Sequence, residues 1–196
     1  MTPVQVSIPA DPARIESSLK RYGATQGALA MRPGEDLLSA SDRWFEHAKR
    51  VLATDGYHHT LVRLMTQDGD AQLHFLEFAD HPGLYVLIRQ IADEVERIGA
   101  VGLIYIAEFW AARLEDLKPG QRPSEVPTRQ EFLRVIAVTA DGRTRDHTIE
   151  FRKDEQGEIR FGESSVSGEA AGSDFLEPVR RIWRRWAEQK TARPQP

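Results

Sequence analysis

The chain has 196 residues, 40% hydrophobic and 29% charged, which suits one domain with a full core and is too apolar for wholesale disorder. It contains no cysteine, excluding a disulfide framework, thiolate catalysis and cysteine-ligated metal centres. The net charge of -4 selects no partner by itself.

The opening MTPVQVSIPADP has neither the basic start nor the apolar centre of a secretion signal. No apolar run reaches the roughly 18–20 residues that a membrane helix needs. The expectation is a soluble, cytoplasmic protein with no membrane association.

In chain order, Val4 to Ile8 reads as a short strand. A helix follows, with Asp11 at its N-cap, Pro12 at its first position, a stripe of Ile15, Leu19 and Tyr22, and a stop at Gly23. Residues 23–34 carry three glycines and a proline and read as a loop. The spacing of Leu37, Leu38, Trp44, Phe45, Ala48, Val51 and Leu52 predicts a helix from Asp36 to Thr54, ended by Asp55-Gly56.

Tyr57 to Gln67 and Ala71 to Phe78 flank Asp68-Gly69 and read as a hairpin. With those two residues as the turn, Leu64 faces Leu73 and Val62 faces Phe75. Val62, Leu64, Leu73 and Phe75 then form the core face, while His59, Leu61, Arg63, Met65 and His74 share the mixed face. A one-residue slip would exchange these assignments.

Leu84, Leu87, Ile88, Ile91, Val95 and Ile98 predict a helix over 83–98, capped by Gly99. The run Ala100 to Ala107 reads as a strand buried on both faces, with Glu108 at its end. A polar connection leads to a second hairpin, Phe132 to Thr139 and Arg143 to Arg152, around Asp141-Gly142. A short strand near Glu158 to Phe161 follows. Residues 162–173 (GESSVSGEAAGS) read as a small-residue linker, and Phe175 to Lys190 as the last helix.

Strands joined mostly as hairpins favour an α+β fold: one domain, a mainly antiparallel sheet of about five to six strands, helices packed on it. The divisions are an N-terminal extension (1–35) with one helix, a core (36–162), a flexible linker (163–173) and a C-terminal helix (174–190) packed on the core. Ile104, Ile106, Val62, Leu64, Phe75, Val135 and Leu133 are expected in a single core.

Three groups of residues could carry function. A carboxylate at the end of a buried strand must be paired, hydrated or protonated. Glu108 is therefore a candidate general base or substrate clamp, with Arg113 beside it and Trp110 at the pocket rim. Its structural alternative is an ion pair with Arg113, Arg129 or Arg134. The second group is histidine-rich: four of six histidines lie between His58 and His81. On the assumed register His59 and His74 stand about four strand positions apart, too far to share one ion, so no metal site and no cofactor are expected.

The third group is the final helix. Residues 173–196 hold six basic and three acidic side chains, so this end is +3 and the rest of the chain -7. Trp183 and Trp186 share an apolar stripe with Val179 and Ile182, which should be buried against the domain. Arg180, Arg181, Arg184 and Arg185 should stand outward as a binding patch. Phosphate-binding and serine-nucleophile motifs are missing.

The sequence therefore favours a non-enzymatic protein that binds another macromolecule. A protein partner is favoured over nucleic acid because the body of the chain is acidic and has no basic aromatic strand platform. The alternative is an enzyme or small-ligand protein with its pocket at Glu108, Trp110 and Arg113.

Overall fold

The computed structural model describes residues 31–192 apart from Pro33, Asp70, Ala79, Asp80, Ala171 and Gly172. The strand and helix expected before Gly23 lie outside the described residues. The fold is α+β, as its hairpin-rich pattern implies: a six-stranded antiparallel sheet packed between helices.

Helix α1 (Leu37–Asp55) starts where Asp36 accepts the Ser39 amide and stops where Gly56 takes up a left-handed conformation. Strands β1 (Leu61–Thr66) and β2 (Ala71–Phe75) form the first hairpin. Helix α2 (His81–Ile98) leads through Gly99, at φ 67°, into β3 (Ala100–Ala111). Two short 3-10 turns, Leu114–Asp116 and Pro123–Glu125, precede β4 (Gln130–Thr139). Strands β5 (Thr144–Lys153) and β6 (Ile159–Ser167) complete the sheet, and α3 (Glu177–Ala192) closes the chain.

The strand order is β2-β1-β3-β4-β5-β6. Strand β1 lies between β2 and β3 and is antiparallel to both. Strands β2 and β3 therefore run the same way, and α2 supplies the crossover such a pair requires.

The first hairpin is one residue out of the expected register. Met65 pairs with Ala71, Arg63 with Leu73 and Leu61 with Phe75. The Gly69 amide closes a turn onto the Thr66 carbonyl, with Gly69 at φ 85°, so the loop is longer than the two residues expected. The slip moves Leu73 and Phe75 to the face shared by Leu61 and Met65.

The expected single core is two, because helices cover both faces of the sheet. One lies under α1 and contains Leu61, Met65, Ile104, Ile106, Leu133, Val135, Ile149 and Phe151, with Phe75 at its margin. The other lies under α2 and α3 and contains Val62, Leu64, Leu103, Tyr105, Ile136 and Val138. Ile104 is fully buried. A sheet covered on both sides explains why β3 reads as an unbroken apolar run.

Two boundaries differ from expectation. Strand β3 does not end at Glu108 but continues to Ala111, because Phe109 and Trp110 pair with Phe132 and Glu131. The segment read as a linker from 163 is strand as far as Ser167, where Ser164 pairs with Ile149 and Val166 with His147. An edge strand needs only one ladder of backbone hydrogen bonds, and its side chains here stay in solvent, so apolar residues are not required.

Helix α3 is tied to the sheet at a specific irregularity. The β1–β3 register shifts so that Met65 faces Gly102 and Thr66 faces Ala100. There the Val101 carbonyl accepts the Ala140 amide, and the Ala100 carbonyl accepts Trp183 Nε1–H at 2.7 Å. Trp183 and Val179 are buried, as their spacing predicts; Trp186 and Ile182 are only partly so.

Candidate functional site

The carboxylate that ends the apolar run sits inside β3 rather than at its end. Ladder pairing of β1 with β3 begins at Leu61, opposite Ile106, so the chain just before it is outside the sheet. The His58 amide there turns to the Glu108 carboxylate and donates to it. The expected arginine pair is not formed. Arg113 is exposed and pairs with Glu115 at 3.5 Å, Arg129 reaches Glu131 at 3.9 Å, and Arg134 binds Asp146. One peptide N–H thus serves this partly buried carboxyl where an arginine was expected. Burial raises the Glu108 pKa, an effect the His58 bond opposes.

His58 itself is buried, which pushes its pKa down to about 3. Its Nδ1 lies 2.7 Å from the His59 carbonyl, an acceptor only, so Nδ1 carries the proton. Trp110 is half exposed, and its Nε1–H donates to Glu131 at 3.2 Å. The structure therefore places Trp110 near Glu108 on one strand face, while Arg113 points its charge elsewhere.

Ser41 and His147 meet under α1, with Ser41 Oγ 2.9 Å from His147 Nε2. Ser41 Oγ also donates to the Leu38 carbonyl at 2.6 Å. Its one hydrogen is thereby committed, and His147 Nε2 must be the donor in the shared bond. An imidazole in that state cannot activate the hydroxyl as a nucleophile. His147 also stacks on Phe45, so the pair pins α1 to β5.

Hairpin geometry alone could have found one buried pair. Ile136 faces Asp146 and Arg134 faces Thr148, which sets Arg134 diagonally beside Asp146. Arg134 contacts both carboxylate oxygens, at 3.0 Å through Nε and 2.5 Å through a terminal nitrogen. No sequence signal identified a second feature: Arg63, whose guanidinium lies 4.5 Å from the Trp44 ring centroid and whose pKa burial lowers to about 10.

The arginines of α3 are mostly engaged. Arg184 pairs with Glu177 and Arg185 with Glu96 on α2. Arg180 donates to Ser173 Oγ at 2.7 Å. Arg181 alone of the four makes no ion pair or hydrogen bond among the described residues.

A cavity of about 950 Å³ opens at the other end of the sheet. Its floor comes from Leu37, Met65, Val101, Gly102 and Ala140. Met31, Arg32, Gly34 and Glu35 form one wall, and Trp183, Trp186, Ala187 and Lys190 of α3 form the other. Gly102 lets Leu37 pack directly on the strand: a Cβ there would sit 2.7 Å from a Leu37 methyl, which would have to move aside. Glu108 lies six positions along β3 from Gly102, roughly 20 Å. The groove and the Glu108 corner are thus distinct places. Sequence reasoning missed the groove because five segments far apart in the chain build it.

Among the described residues no group of three or more histidine, aspartate and glutamate side chains could hold a metal, and no helix is long and apolar enough to cross a membrane.

These features define the class: an α+β domain with a sheet between helices and a tryptophan-walled groove at one sheet end. The chain belongs to the Bacteriophage lambda protein ea47 family, whose model matches residues 2–195. No curated protein and no solved structure matches it.

Proposed function

We propose that this chain is a cytoplasmic, non-catalytic protein that binds another protein in the groove between α3 and the segment before α1. The observation that carries this reading is the groove itself: about 950 Å³, with an apolar floor, a tryptophan wall and charged residues at its margin. That volume is at the upper end of the ~300–1,000 Å³ of ligand sites, with room for several side chains. A cysteine-free chain needs no oxidising compartment, which fits the cytoplasm.

Two further points favour protein over nucleic acid. The body of the chain is acidic, and Arg184 and Arg185 spend their charge on Glu177 and Glu96. A phosphate backbone calls for a stripe of available cations. The binding contribution of α3 accordingly moves from its four arginines to its groove-facing side.

The test is affinity purification from native lysate with wild-type protein and with Ala187→Trp. Ala187 is exposed on the groove wall, so the larger side chain obstructs the site without entering either core. A specific protein retained by wild type and lost from the variant is the expected result. Equal recovery with both, or recovery of nucleic acid alone, contradicts the proposal.

A further inference from the structure

Taking the groove as the binding face, we infer that its occupant is an acidic segment with apolar side chains, supplied by the partner protein. The inference rests on that reading and on which groove charges are already satisfied. Glu35 is held by Arg43, bonded through Nε at 3.0 Å and a terminal nitrogen at 2.5 Å. Asp141 is paired with Arg143 at 2.9 Å, and Arg143 also reaches Asp36 at 3.2 Å. These acids and their arginines neutralise one another within the wall.

What remains differs in sign between the walls and the turn. Arg32 on one wall and Lys190 on the other make no side-chain ion pair or hydrogen bond among the described residues, although Arg32 lies close enough to Glu35 to help lower its pKa. Both are exposed. Asp68, in the β1–β2 turn, is the lining acid left without an ion pair among the described residues. Two available cations therefore flank the tryptophan wall and apolar floor, against one acid confined to the hairpin tip. A segment whose apolar residues occupy the floor and whose carboxylates face Arg32 and Lys190 satisfies both features. A basic segment would leave the two cations facing like charge.

The experiment titrates the full chain with three capped ten-residue peptides that share the same leucine and phenylalanine positions. The remaining positions are all glutamate, all glutamine or all lysine. The tryptophan indole N–H signals in nitrogen-15 correlation spectra provide the readout, since Trp183 and Trp186 line the groove while Trp44 and Trp110 do not. The glutamate peptide should shift the two groove signals at least tenfold more tightly than the glutamine peptide, and the lysine peptide should be weakest. Arg32→Gln with Lys190→Gln should remove that preference, and 500 mM salt should compress it. Trp186→Ala should weaken all three.

Equal or tighter binding of the glutamine or lysine peptide overturns the acidic assignment while leaving the groove as the binding face. So does a preference that survives the double glutamine variant. No groove shift with any peptide at millimolar concentration overturns the inference as well; if Ala187→Trp also retains every partner, the groove reading falls with it.

Discussion

The join between α3 and the sheet is one indole, and two substitutions separate its parts. Trp183 is 4% exposed, and its Nε1–H satisfies the Ala100 carbonyl at 2.7 Å, beside a residue of zero exposure. Trp183→Phe keeps an aromatic ring but leaves that carbonyl without its donor, a penalty of about 1–3 kcal/mol. Trp183→Ala removes the ring as well and leaves a cavity between α2, α3 and the sheet. That change should cost about 3–5 kcal/mol, since the closely packed surroundings collapse only in part. For a chain of this length the alanine variant should melt about 6–20 °C lower. Urea unfolding followed by circular dichroism, with wild type in parallel, measures both. A phenylalanine variant as stable as wild type would show that the carbonyl needs no side-chain donor. An alanine variant within about a kcal/mol of wild type would refute the packing of α3 altogether.

Further outcomes follow from the buried polar groups. Asp146→Ala should destabilise by about 3–5 kcal/mol by removing the carboxylate that Arg134 grips through two nitrogens, whereas Asp146→Leu with Arg134→Met should recover most of the loss; if the double variant is no better than the single, the cost is not that of the lost ion pair. Burial lowers the pKa of His47, His58, His74 and His147 below 6.5, and that of His58 to about 3. The unfolded chain then takes up protons that the folded chain refuses. Stability present above about pH 6.5 should therefore fall as pH drops toward 3, by up to about 1.4 kcal/mol per pH unit for each histidine; a flat urea midpoint between pH 7.5 and 5 would refute this. Glu108 has the opposite shift, so ionising it disfavours the fold. Glu108→Gln should match or exceed wild-type stability at pH 7 and lose its advantage near pH 4, and a variant markedly weaker at pH 7 would contradict the assignment. Arg181→Glu with Arg184→Glu replaces an exposed ion pair with a solvent-screened like-charge contact and should leave the urea midpoint close to that of wild type, with groove binding unchanged.

Local chemistry made much of the fold legible. Asp36 and Gly56 mark both ends of α1, Gly99 marks the end of α2, and Asp141-Gly142 marks the second hairpin. The stripe through Val179 and Trp183 found the buried side of α3. Register was less legible, because the choice between a two-residue loop and a longer one at Asp68-Gly69 depends on a turn geometry that the residue types allow either way. The start of β6 was legible near Phe161, but its continuation to Ser167 was hidden by exposure, as Ser164, Ser165 and Ser167 contribute hydrogen-bonded backbone without buried side chains. The partner of Glu108 was hidden for another reason: it is a backbone amide, which every residue but proline possesses. The groove was beyond sequence reading, because Met31, Met65, Val101, Ala140 and Trp186 become neighbours only when the sheet closes.

Partner binding should occur in this groove rather than at the Glu108 corner or on the arginine side of α3. A photo-crosslinking amino acid placed in turn at positions 187, 110, 181 and 86 tests it in the cells that make the protein. Position 187 lies in the groove, 110 beside Glu108, 181 on the arginine side of α3 and 86 on the exposed side of α2. A discrete protein adduct from position 187, absent at the other three and lost when Trp186→Ala is added, is the predicted result. An adduct confined to position 110 or 181 would place the interface elsewhere and contradict the account.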